Sequence, residues 1–244
     1  MPKETPYRIQ TSAGHRRYLC SGIYLPSVTS VLSATESEIS RKSLQQWIAK
    51  NPGASEAACE RGTAIHLCCE NYLRGLPVNC PDQYVNYWRG MERYLDWFDQ
   101  IYWSERPLRP DWKHLRSDDK EVAYVWSTEH KFSGCPDLVG TIGGLNIICD
   151  FKTSSGRYQN TFPARGDREG FGGHKKYQKC AQQQAAYALA LKERTGFEVD
   201  VALILATTEE HTQAIFIDTD QLKLAESRFI KRAAQFHQMF PSDD

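Results

Sequence analysis

Between Cys135 and Thr153 the chain reads CPDLVGTIGGLNIICDFKT, two apolar runs joined by Gly143-Gly144. Tight turns between antiparallel strands need positive φ angles, which paired glycines supply without strain, so the segment predicts a β-hairpin. With a two-residue turn centred on the glycines, Asp137 sits directly opposite Asp150, Cβ atoms roughly 5 Å apart on one face. A three-residue loop would shift that register by one. Side chains alternate along a strand, so Asp150 and Lys152 point together while Cys149 and Phe151 point the other way. Two carboxylates that close repel unless something positive lies between them, and a divalent cation is the economical candidate. Carboxylate oxygens suit hard ions such as Mg²⁺ and Mn²⁺. The Lys152 ammonium in the same space can stabilise charge developing on a phosphate or help place an attacking water. The alternative on these residues alone is a diagonal salt bridge between Asp137 and Lys152 on an exposed sheet face, which would contribute little.

The rest of the chain predicts what surrounds the hairpin. Its 244 residues suit a single domain, and 41% apolar with 25% charged residues excludes disorder, collagen and coiled coil. Net charge is zero, which neither favours nor excludes a polyanionic partner. The eight cysteines form no CxxC pair, so a zinc or iron-sulfur centre is not expected. The N-terminus lacks an apolar signal core and no stretch approaches the ~20 apolar residues of a membrane span, so the expectation is a cytoplasmic protein with no membrane partner.

A polar segment over residues 1–24 precedes a mainly helical part over 25–118. Helices are expected near 40–50, from about 55 to 74, and over 84–102, where large residues recur at a helical period; residues 103–118 read as a loop. That aromatic stripe fits core packing better than base stacking. From residue 119 onward the pattern is EVAYVWS, CPDLVGTI and LNIICDFKT as strands, then a polar loop over 154–173. A helix HKKYQKCAQQQAAYALALKERTG follows, then strands VDVALILAT and TQAIFIDT, and a final helix capped by Asp218 or Thr219. The whole predicts an α/β fold, a mixed five-stranded sheet flanked by helices with a helical N-terminal elaboration.

Other residues gather toward the hairpin's polar end. Gly62, His66 and Glu70 are spaced four apart and share one helix face, with Gly62 leaving room for a backbone or a phosphate. Neutral histidine is a good metal ligand, although a helical histidine is often only a hydrogen-bonded structural residue, and Glu70 alone would be a solvated charge. From Arg157 to Lys179 six basic residues, among them Lys175 and Lys176, face only Asp167 and Glu169. This stretch could meet a nucleic-acid backbone, or be a solvated loop and an ordinary amphipathic helix. Gln183 and Tyr187 share the next helix face.

In order, RGTAIH…E, GCPDLVG, DFKT and QAAY resemble the PD-(D/E)XK nuclease superfamily, and within it the RecB-like exonuclease branch. LPSVTSVL, residues 25–32, is similar to the N-terminal segment of the mitochondrial genome maintenance exonuclease and its phage and bacterial relatives, which points to a bacterial or phage-encoded protein. The resemblance implies that His66, Asp137, Asp150 and the Phe151 backbone carbonyl bind Mg²⁺ or Mn²⁺ and that Lys152 is catalytic. It implies supporting roles for Glu70, Glu121, Gln183 and Tyr187. Ser27, Thr29, Arg61, Arg157, Lys175, Lys176 and Lys179 are the candidates for nucleic-acid contact. Cluster-bearing relatives carry three cysteines near the C-terminus, and no cysteine follows Cys180 here, so no iron-sulfur cluster is expected. The implied activity is metal-assisted phosphodiester hydrolysis at single-stranded DNA ends, leaving 5′-phosphates, in replication, recombination or repair. A structure-selective endonuclease and an inactive nucleic-acid-binding module are the alternatives.

Overall fold

The computed structural model describes residues 8–11, 14–116 and 123–241. Strands β1 (Arg8–Gln10), β2 (Arg16–Cys20) and β3 (Ile23–Pro26) form a small antiparallel sheet. Helices α1 (Val28–Ala34), α2 (Glu38–Lys50), α3 (Ala54–Leu73) and α4 (Val85–Leu95) lead to β4 (Gln100–Ser104). A two-stranded ribbon, β5 (Val125–Ser127) and β6 (Phe132–Gly134), precedes the hairpin β7 (Leu138–Ile142) and β8 (Leu145–Thr153). Helix α5 (Arg168–Thr195), strands β9 (Val201–Thr207) and β10 (Thr212–Ile217), and helix α6 (Thr219–Met239) complete the chain.

The main sheet is mixed and five-stranded in the order β10-β9-β8-β7-β4, parallel only between β8 and β9. Alternation along β8 and β9 splits the core between its two faces. Ile148, Ala202 and Ile204 pack under α5 and α6, while Ile147, Cys149, Phe151 and Leu203 pack under α3 and α4. Gly143 and Gly144 both have positive φ, and Leu138 pairs with Cys149, the register expected of a two-residue turn. Tyr87, Trp88, Met91 and Leu95 are buried, so the aromatic stripe of α4 is core. Asp218 caps α6 in a full capping box with Gln221.

The structure departs from expectation at four points. The helix expected over 84–102 ends at Leu95, and Gln100–Ser104 is an edge strand of the main sheet. There Trp103, fully buried, turns its indole N–H to the Pro136 carbonyl at 2.7 Å, a contact that tertiary packing selects over local helical periodicity. EVAYVWS is not a strand of the main sheet: in its described part Val125–Ser127 pairs with β6 and Ala123 bridges to Arg116. The polar segment over residues 1–24, where no element was expected, carries strands: RRYLC forms β2 and IYLP, running on to Pro26, forms β3 around the Ser21-Gly22 turn. Helix α5 also begins earlier than expected, capped by Asp167 and taking in the glycines at 170, 172 and 173.

Candidate active site

β8 outruns its neighbour. Its last partner on β7 is Cys149 opposite Leu138, so residues 150–153 are paired only on the β9 side. The open edge of Phe151 is taken up by side chains: Asp137 Oδ2 accepts the Phe151 N–H at 2.7 Å, and His66 Nε2 donates to the Phe151 carbonyl at 2.9 Å. His66 comes from α3, on the sheet face opposite Asp150, and reaches the strand end edge-on.

The other nitrogen of His66, Nδ1, lies 3.3 Å from Glu105 Oε1 and 3.7 Å from Asp137 Oδ1. Acceptors face both nitrogens, which favours the charged imidazolium. Burial works against that charge, but Asp137 and Glu105 outweigh it and raise the pKa to about 9. Burial likewise pushes the Asp137 carboxyl up, with His66 pulling it down.

Asp150, 2% exposed, is held from two sides: Oδ1 accepts from Gln183 Nε2 at 3.0 Å and Oδ2 pairs with Lys152 Nζ at 2.6 Å. Burial raises its pKa to about 6 against the pull of Lys152. Burial also opposes the Lys152 charge, but Asp150 overrides it and the ammonium pKa stands well above its ordinary value. Gln183 sits on the buried face of α5 with Cys180 and Tyr187. Tyr187 packs against Gly134, where an added Cβ would lie 2.2 Å from Tyr187 Cε1. That glycine is required by packing.

His66, Glu105 and Asp137 each present a ligand atom, and these three atoms lie within 4.8 Å of one another. Hard oxygens plus one imidazole nitrogen fit a magnesium- or manganese-like ion. An ion held there would balance the two carboxylates, and the Phe151 carbonyl keeps a second lone pair beside the one that accepts from His66 Nε2. Glu105 was not read from the sequence. It falls in the segment expected to be a loop, beyond a bulge in β4, and takes a left-handed φ of +54° that no residue pattern announces. His66, Gly62, Glu70 and Glu105 line one open cleft of about 760 Å³. A Cβ at Gly62 would meet only Thr153 Oγ1, at 3.8 Å, so packing does not require that glycine. Glu70 stays outside the ligand cluster and accepts from Arg74 at 2.7 Å. Glu121 lies outside the described residues.

The residues expected to touch nucleic acid are dispersed. Ser27 is 2% exposed, and its hydroxyl caps α1 by accepting from Ser30 N and contacts Thr29 Oγ1 at 3.1 Å. Arg61 stacks over Tyr87, Arg157 Nε donates to His211 at 3.0 Å, and Lys175 pairs with Glu36 at 3.3 Å. Lys179 is partly buried, and that burial lowers its pKa. Lys176 donates to Ser154 Oγ at 2.8 Å, on the side of α5 that carries Cys180 toward Lys152.

A strand end ringed by His66, Asp137, Asp150 and Lys152 on a mixed five-stranded sheet defines a class of metal-dependent nucleases. A model of the PD-(D/E)XK nuclease superfamily matches residues 40–241, and the chain belongs to that superfamily, whose members use divalent metals and act on nucleic acid. Among solved structures, it is similar to a "Putative exonuclease" from Eubacterium rectale, with 12% identity over 75% of this chain and 69% of that one and a TM-score of 0.47. A second, SSO0001, shows 14% identity over 50% of this chain and 46% of that one, with a TM-score of 0.26. Among curated proteins, none matches.

Proposed function

We propose that the protein is a Mg²⁺- or Mn²⁺-dependent exonuclease that hydrolyses phosphodiester bonds at single-stranded DNA ends, leaving 5′-phosphates. The observation that carries the hydrolytic part is the pairing of Lys152 with Asp150 at 2.6 Å beside the His66, Glu105 and Asp137 cluster. His66, Asp137, Glu105 and Asp150, with the Phe151 carbonyl, would hold the ion. When bound, it polarises the phosphoryl oxygen and lowers the pKa of water in its shell. Asp150 keeps the Lys152 ammonium charged and aimed along the strand end, so positive charge is already in place where the phosphate accumulates negative charge. Gln183 fixes the carboxylate that does this, and Tyr187 backs the same helix face. The cleft's opening toward solvent suits a strand entering by its end. The single-strand preference, the products and a role in replication, recombination or repair rest on the motif resemblance.

The test is a time course on 5′- and 3′-labelled single and double strands and on circular single strands, with Mg²⁺, Mn²⁺ or chelator. Progressive loss of linear strands, metal-dependent and sparing circles, is expected. Nicked circles would favour the endonuclease reading, and no cleavage of any substrate with either metal would remove the enzyme reading.

A further inference from the structure

The same cleft also carries two arginines. Besides His66 and Glu105 its wall includes Arg8 from β1, Arg106 from the turn after β4, Tyr18 and Tyr124. Arg8 pairs with Tyr18 across β1–β2, and Tyr18 stacks on Tyr124 at 4.1 Å between centroids and 20° between planes. This rigid aromatic pair sets where Arg8 stands. Arg106 is set by the turn that sets Glu105: Ser104 N–H binds the Arg106 carbonyl at 2.9 Å, and Glu105 N–H binds the Asp137 carbonyl at 2.9 Å. One turn thus sends an acid to the ligand cluster and a base to the wall of the same cleft.

These two arginines are also chemically unfinished. Both are half-buried, and neither has a side-chain hydrogen bond or ion pair among the described residues. Several other half-buried arginines are engaged by hydrogen bonds, Arg16 on Tyr18, Arg74 on Glu70, Arg109 on Asp111 and Arg232 on Thr35, while Arg61 has only the Tyr87 ring. No guanidinium nitrogen of either is buried without a partner, so water still meets them, and the ligand that best replaces that water is a planar or tetrahedral oxyanion taken bidentately.

The geometry points to Arg8 and Arg106 as a clamp for a backbone phosphate of the substrate strand, next to the phosphate that is cut. This rests on the nuclease reading. The clamp positions the strand; it takes no part in bond cleavage. It differs from the basic stretch of α5, whose Lys175 and Lys176 are engaged by Glu36 and Ser154.

Binding of a fluorescein-labelled 15-residue oligothymidylate, followed by anisotropy in chelator over a salt series, tests it. Arg8→Gln/Arg106→Gln is expected to weaken binding about tenfold and lower the slope of log affinity against log salt by about 0.7, one single-strand phosphate. Each single variant should show part of this loss, which keeps the test open should the double variant fail to give a wild-type circular dichroism spectrum. Wild type that cleaves, with arginine variants that bind unchanged, overturns the clamp alone. The clamp is likewise overturned if Lys175→Ala/Lys179→Ala lowers the slope and the arginine variants do not. A wild type that neither binds nor cleaves overturns the nuclease reading and the clamp with it.

Discussion

Lys152 Nζ and Asp150 Oδ2 lie 2.6 Å apart, two residues along one face of β8, and the other oxygen of Asp150 is held by Gln183. The carboxylate therefore serves the amine and the helix at once. Asp150→Asn keeps the side-chain volume and an oxygen for Gln183 but removes the charge that keeps Lys152 protonated and aimed. Cleavage should fall by about 10²–10³-fold, while circular dichroism and the melting profile stay those of a folded protein. Activity near wild type in this variant would leave the site without its central acid.

The protonation of His66 makes stability and metal affinity run in opposite directions with pH. Its folded pKa of about 9 exceeds the ordinary 6.5, so the folded state holds a proton that the unfolded chain has released. That contribution is complete below pH 6.5 and is lost as pH rises to about 9. A ligating histidine must be neutral, so affinity for Mn²⁺ should strengthen across the same window. Asp150 acts lower: its pKa, raised from 3.8 to about 6, makes stability fall as pH rises between those values. Thermal melts from pH 6.5 to 9 should show Tm falling in chelator while the Mn²⁺-induced rise in Tm grows. His66→Gln should flatten both, and a Mn²⁺ shift independent of pH would mean that His66 is not a ligand.

The hairpin was legible because its information is local: Gly143-Gly144 dictates the turn, the turn dictates the register, and the register brings Asp137 to the level of Asp150. What remained hidden depends on contacts distant in sequence. Asp137 turns to the Phe151 N–H instead of facing Asp150 alone, because β7 stops one residue short and leaves that N–H unpaired. Gln100–Ser104 follows a helix whose apolar period runs on through Ile101, so only the packing of Trp103 marks it as a strand. Three consecutive glutamines of α5 look equivalent in sequence. Yet Gln182 donates to its own helix at Gln178, Gln183 to Asp150 and Gln184 to the Leu203 carbonyl.

Gly134 ties the ribbon to α5. An alanine there would place its Cβ 2.2 Å from Tyr187 Cε1, and the ring, 6% exposed, has no free direction in which to retreat. Gly134→Ala should cost about 1–3 kcal/mol, read as a drop in Tm, and should lower activity because Gln183 lies one turn from Tyr187 on the same face. In a Tyr187→Ala background the same glycine substitution should cost less, and equal costs in both backgrounds would mean that the ring is not what the glycine accommodates.

Glu105 separates function from stability most sharply. Its φ of +54° is a conformation that glycine adopts freely and glutamate adopts at a cost of roughly 1 kcal/mol or more, while its carboxylate, 34% exposed, makes only a 3.3 Å contact to His66 and a weak one to Cys135. Glu105 also helps to hold the proton on His66, so its contact contributes while that ring is charged; above about pH 9, where the ring is neutral, the strain outweighs the contacts. Glu105→Gly should therefore melt at or above the wild-type temperature in chelator above about pH 9, yet bind Mn²⁺ more weakly and cleave more slowly. Glu105→Gln, which keeps the strain and loses the charge, should share the weaker Mn²⁺ binding without the gain in stability. Calorimetric titration with Mn²⁺ beside thermal melts in chelator reads both halves. Undiminished Mn²⁺ affinity in both variants would take Glu105 out of the ligand set and leave its backbone strain without a functional counterpart.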